Sequence, residues 1–142
     1  MKNLAWINGV ISDLADAKVA VEDRGFLLGD GVYEVIRIYN GCPFSMGHHL
    51  ERLQASAQAI ELSIPYSTAE ISDAVRTLVE ESGFQDAYIY IQLTRGSAKR
   101  DHIFPEQVEP NLMLYVREMT PLPGIEEVEP ARCITLPDER WM

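Results

Sequence analysis

Eight residues, Ala87-Tyr88-Ile89-Tyr90-Ile91-Gln92-Leu93-Thr94, constrain the fold more than any others in the chain. Ile89, Ile91 and Leu93 alternate with Tyr88, Tyr90 and Gln92. A period of two puts the aliphatic side chains on one side of an extended strand and the aromatic and amide side chains on the other. Residues 32–39 repeat the pattern. Val32, Glu34, Ile36 and Ile38 share one face, and Tyr33, Val35, Arg37 and Tyr39 share the opposite one. Residues 111–117 read as a further apolar strand. Near the start, Trp6-Ile7-Asn8-Gly9-Val10-Ile11 reads as a short hairpin turning on Asn8-Gly9, and Asn40-Gly41 marks a second turn toward Pro43-Phe44.

Between the strands the period changes. Over residues 46–62 the apolar residues Leu50, Leu53, Ala57 and Ile60 recur at helical spacing, and Pro65 closes the segment. A second helix over 68–82 opens with Ser67-Thr68-Ala69-Glu70, a capping-box pattern, and stops at Gly83. Its buried stripe is Ile71, Val75, Leu78 and Val79. Strands, two helices and strands again predict an α+β, two-layer sandwich: an antiparallel sheet with two helices on one side. Pro121-Leu122-Pro123-Gly124 and the acidic residues after it read as a linker. Residues 131–136 look like the start of another strand. The expected organisation is an N-terminal α+β domain over 1–120, then a linker and the beginning of a second domain over 121–142.

Composition removes some classes of function. Twelve basic against 22 acidic residues give a net charge of −10, the wrong sign for a nucleic-acid backbone partner. No apolar run approaches the roughly 20 residues that span a bilayer, and residues 1–6 do not form a signal peptide. A soluble, cytoplasmic protein is expected, without membrane or nucleic-acid partners. Cys42 and Cys133 belong to no metal-ligand cluster and are expected to be free thiols, so no metal site is predicted.

Three constellations carry possible chemistry. Residues 22–35 place three glycines within seven positions ahead of a strand, either a plain loop-to-strand junction or a close approach of backbone to a ligand. His49, Arg52 and Ser56 fall on one side of the first helix. Arg52 there suits a surface ion pair, or a phosphate group held by a guanidinium fork. Residues 94–105 gather Arg95, Lys99, Arg100 and His102 in one polar loop. Spacing alone favours their serving as counter-charges for neighbouring carboxylates over a trap for a substrate carboxylate.

Taken together and in order, these segments resemble the class IV, fold type IV aminotransferases, over nearly all of the chain. The run from Asp23-Arg24-Gly25 to Gly29-Asp30-Gly31-Val32-Tyr33-Glu34-Val35 is similar to the family's entry strand. His49-Leu50-Glu51-Arg52-Leu53 with Ser56-Ala57 is similar to its helix motif, and Arg100-Asp101-His102 resembles the loop of the D-amino-acid transaminases. The resemblance implies pyridoxal 5′-phosphate as cofactor, with Arg52 at its phosphate. It implies Tyr33, Arg100 and His102 at the substrate carboxylate, and Val35 lining the pocket. It implies a homodimer acting on small amino acids and 2-oxo acids, with Arg100 and His102 reaching into the other subunit's site. It also implies a Schiff-base lysine that this chain lacks. Lys2, Lys18 and Lys99 match no such position, and Arg140-Trp141 resembles the approach to it. The expectation is a fragment of a D-amino-acid transaminase (D-alanine and 2-oxoglutarate), inactive alone. A branched-chain aminotransferase, an aminodeoxychorismate lyase and a non-catalytic dimerisation or binding module are the alternatives.

Overall fold

A computed structural model of the chain describes residues 1–121 and 123–138. Strands β1 (Leu4–Ile7) and β2 (Val10–Asp13) form the N-terminal hairpin. Asn8 and Gly9 at its tip both take positive φ, 47° and 94°, the backbone that a tight two-residue hairpin requires. A short helix α1 (Arg24–Leu28) precedes β3 (Gly31–Tyr39), and the two-residue β4 (Cys42–Pro43) folds back on β3. Helices α2 (Met46–Ala59) and α3 (Thr68–Ser82) follow, then β5 (Ala87–Thr94) and β6 (Asn111–Glu118).

The six strands make one sheet in the order β2-β1-β6-β5-β3-β4, antiparallel throughout. Eight residue pairs join β3 to β5, from Gly31 opposite Thr94 to Ile38 opposite Ala87. Register is set by burial. A shift by one residue would turn Ile36, Ile38, Ile89, Ile91 and Leu93, all fully buried, to the opposite face. They pack with Leu112, Leu114 and Val116 of β6 against Leu50 and Leu53 of α2 and Val75 and Leu78 of α3, in one continuous core. The helices therefore cover one face of the sheet, as the alternating pattern predicts.

The other face carries Tyr33, Val35, Arg37 and Tyr39 from β3, Tyr88, Tyr90 and Gln92 from β5, and Met113 and Tyr115 from β6. It holds a row of rings. Tyr33 stacks on Tyr90 with centroids 5.6 Å apart, and Tyr90 on Tyr115 at 5.1 Å. Tyr33 remains 64% exposed and Val35 41%.

Four details differ from the sequence reading. Residues 24–28 are a helix rather than plain loop, because the Asp23 side chain accepts from the Gly25 amide and Gly29 closes the turn in the left-handed region. Strand β4 is too short to show a period. Helix α2 ends at Ala59 rather than residue 62: Ile60 leaves helical geometry and Glu61 takes φ 52°. Residues 131–136 form no strand. Ile134 and Leu136 are exposed, and no neighbouring strand supplies the ladder an extended segment needs. Among the described residues after 120, one 3-10 turn, Ile125–Glu127, interrupts otherwise irregular chain. The Arg140-Trp141 motif lies outside the described residues. Cys42 and Cys133 are both free and exposed, as expected.

Candidate active site

The first cluster grows from an anomaly in β3. Glu34 points to the same side as Ile36 and Ile38 and is 3% exposed. A carboxylate there must be matched by a cation or become neutral. Helix α2 supplies the match. Arg52 donates from Nε to Glu34 Oε1 at 2.5 Å and from an Nη to Oε2 at 2.6 Å, and His49 donates from Nδ1 to Oε2 at 2.9 Å. His49 and Arg52 are three residues apart, so one helical face presents both donors to one carboxylate. The hydrogen bonds from Arg52 hold the Glu34 carboxyl below its usual range, against the opposing effect of burial. The Arg52 guanidinium is itself raised by those bonds. Its side chain is still 66% exposed. The fork occupies Nε and one Nη, so the remaining N–H groups are available to a ligand at the sheet edge. Ser56 makes no side-chain hydrogen bond among the described residues.

The second cluster lies just ahead of β3, on the helix and turn that lead into it. Asp23, 2% exposed, accepts from the Gly25 amide at 2.8 Å, from Thr94 Oγ1 at 2.8 Å and from Asn111 Nδ2 at 3.2 Å. One carboxylate thus ties α1 to the end of β5 and the start of β6. Beside it Asp30 accepts from two buried arginines, Arg24 Nε at 2.7 Å and Arg95 Nε at 2.9 Å. Burial pushes the Asp30 carboxyl up, but the hydrogen bonds and charges of Arg95 and Arg24 outweigh it and the net shift is downward. Arg95 also donates to the carbonyls of Ile60 and Glu61, where α2 ends, and lies 3.8 Å over the Phe104 ring. Arg24 Nη1 reaches the Asp101 carbonyl at 2.8 Å.

These contacts hold the connection 95–110, which carries Arg100 and His102. Both are exposed and make no hydrogen bond or ion pair among the described residues. The counter-charge reading of this loop therefore applies to Arg95 alone. Tyr33 and Val35 share the open sheet face, as the alternation requires, and Tyr33 has no hydrogen-bond partner among the described residues.

None of the three lysines enters either cluster. Lys18 lines a surface cavity of about 690 Å³ with Asn8, Tyr66 and Glu109, and Lys99 stands exposed on the 95–110 loop. Among the described residues no group of His, Cys, Asp and Glu could hold a metal ion, and no helix is long and apolar enough to cross a membrane.

Sequence reading missed Glu34 as a partner of Arg52, and Arg24, Asp23, Asp30 and Arg95 as an internal network. For Glu34 the signal was present, a lone carboxylate on an aliphatic face. The others sit in loops and at the start of the short helix α1, without a period to betray their burial.

Comparison with known proteins supplies the context. Residues 31–142 match the family model described as Amino-transferase class IV. The D-alanine aminotransferase of Staphylococcus haemolyticus is 40% identical over 139 residues, which cover 96% of this chain and 49% of that protein. A branched-chain amino acid aminotransferase of Escherichia coli superposes with a TM-score of 0.80 at 25% identity, over 91% of this chain and 44% of that one. The 4-amino-4-deoxychorismate lyase of Pseudomonas aeruginosa gives 0.68 at 26% identity, over 84% and 41%. The chain spans about half the length of the curated relatives it matches. With its helix-backed antiparallel sheet, its tyrosine-lined open face and a family match that runs from β3 onward, the chain belongs to the class IV aminotransferases.

Proposed function

We propose that this chain is the N-terminal domain of a D-amino-acid transaminase, which exchanges an amino group between a D-amino acid such as D-alanine and 2-oxoglutarate. One observation carries the reading. Arg100 and His102 are two unpartnered, exposed cationic or cationisable side chains on a loop that buried arginines hold in place. In a chain of net charge −10, such a pair suits a small dicarboxylate or amino-acid carboxylate. The D-alanine aminotransferase name of the relative at 40% identity favours the same substrate class.

In this reading Arg100 and His102 donate to the substrate carboxylate, and the Tyr33 hydroxyl adds a third donor from the open sheet face beside Val35, which lines the pocket. Three donors around one carboxylate fix which Cα–H bond is presented to the cofactor, so orientation decides the stereochemistry. Pyridoxal 5′-phosphate, when bound, supplies the electron sink for the carbanion at Cα. This chain's residues fit its phosphate through Arg52, whose fork to Glu34 leaves outward N–H groups free. Residues 121–142 lead into a second domain that supplies the lysine. Arg100 and His102 act across a homodimer interface in a soluble, cytoplasmic enzyme.

The branched-chain and lyase readings keep support from the superposed structures. The test is a substrate panel on the complete enzyme that carries this domain. D-alanine with 2-oxoglutarate should give pyruvate and glutamate faster than L-leucine gives its 2-oxo acid, and aminodeoxychorismate should not release pyruvate. Preference for either competitor would replace the reading. The 142-residue chain alone should show no turnover.

A further inference from the structure

Asp30 needs one arginine to balance it, yet two are buried against it. Arg95 is well used: it meets Asp30, two carbonyls at the end of α2 and the face of Phe104. Arg24, 2% exposed, is the surplus cation. An apolar side chain of its size would pack α1 without the desolvation that a buried charge incurs. Arg24 does one thing an apolar side chain cannot. Its Nη1 crosses 77 positions of sequence to donate to the carbonyl of Asp101, the residue between Arg100 and His102.

The connection around Asp101 has little else to define it. Residues 98–110 contain no helix or strand. Asp101 Oδ1 accepts from the Ile103 amide at 3.2 Å, which closes a local turn but does not anchor it. The long-range tethers between 100 and 104 are the Arg24 bond to the Asp101 carbonyl and the Arg95 contact with Phe104. Both arginines are locked by Asp30. The backbone between Arg100 and His102 is thus fixed by a guanidinium in the protein interior, while their side chains are left free.

We propose that Arg24 is a positioning residue for substrate recognition: through the Asp101 carbonyl it sets where Arg100 and His102 stand. This rests on the reading that Arg100 and His102 bind the substrate carboxylate. Carboxylate donors lose much of their effect when displaced by about an ångström, so the tether governs substrate affinity rather than the integrity of the fold.

The test is Arg24→Lys in the complete enzyme. Lysine keeps the charge beside Asp30 but lacks the rigid fork that reaches two acceptors at once. KM for 2-oxoglutarate should rise about tenfold, the size of one lost charge-assisted hydrogen bond, with kcat within about twofold. Hydrogen exchange of amides 99–104 should quicken while β5 and β6 exchange as in the wild type. Unchanged exchange at 99–104, or a rise spread evenly over the sheet, overturns the proposal. So does an unchanged KM in an active enzyme. If the wild type does not turn over D-alanine, the transaminase reading fails separately, and the exchange result still decides whether Arg24 holds the loop. Should Arg24→Lys not fold, Arg24→Met leaves Asp30 paired one to one with Arg95, removes the bond to the Asp101 carbonyl, and is read the same way.

Discussion

Gly96 shows how tightly the 95–110 connection is closed near its start. It takes φ 99°, and a Cβ built there would lie 1.9 Å from the Glu109 carbonyl oxygen. Gly9 takes a similar φ of 94° with nothing within 4 Å of such a Cβ. Comparing Gly96→Ala with Gly9→Ala therefore separates backbone strain from overlap. Strain alone costs about 1–3 kcal/mol, and Gly9→Ala should lose that much in urea denaturation. Gly96→Ala should lose clearly more, because the strands leading to Glu109 must part. Equal losses at the two sites would mean that the loop yields without resistance. Neither the overlap nor the burial of Arg24 is visible in the local sequence, since both depend on what residues far along the chain bring alongside.

The two long helices are built by different means. The α3 start is a reciprocal capping box: the Glu70 amide donates to Ser67 Oγ at 3.2 Å, and the Ser67 amide donates to Glu70 Oε2 at 2.7 Å. Helix α2 begins at Ser45, in the left-handed region and with no side-chain cap. It is anchored by Leu50 and Leu53 in the core and by Arg52 and His49 on Glu34. Ser67→Ala should cost about 1 kcal/mol, and Ser45→Ala should cost almost nothing. Thermal unfolding of the two variants checks the pair, and equal losses would refute the contrast. The capping box and both apolar stripes were legible from spacing. The early end of α2 was not, because Arg95, on the connection after β5 and 34 and 35 residues onward, claims the carbonyls of Glu61 and Ile60.

Across the whole molecule, two arginine-paired carboxylates, Asp30 just ahead of β3 and Glu34 within it, govern the response to acid. Asp30 and Glu34 both titrate below their ordinary values in the folded chain. Such a group contributes stability that is complete above its unfolded pKa, about 4, and is lost as the pH falls through the folded value. Urea midpoints should hold nearly level from about pH 7 to 5 and drop below about pH 4. Asp30→Asn with Glu34→Gln should start lower and flatten that acid limb. An acid limb of undiminished steepness would place the titration elsewhere.

Alternation at period two and at 3.6 determined, without any tertiary information, which residues face inward, and so an antiparallel sheet backed by two helices. Periodicity is a local property of the chain, and burying one face of each element leaves few ways to stack them. The ordered motifs likewise carried the family and placed Tyr33 beside Val35. Tertiary structure alone decided that Arg52 is forked by Glu34, that Arg24 and Arg95 share Asp30, and that Arg100 and His102 are left free on a loop held from beneath. Charge pairing acts through space. Which carboxylate meets which guanidinium follows from the strand order and the path of the connections, and no spacing along the chain encodes it.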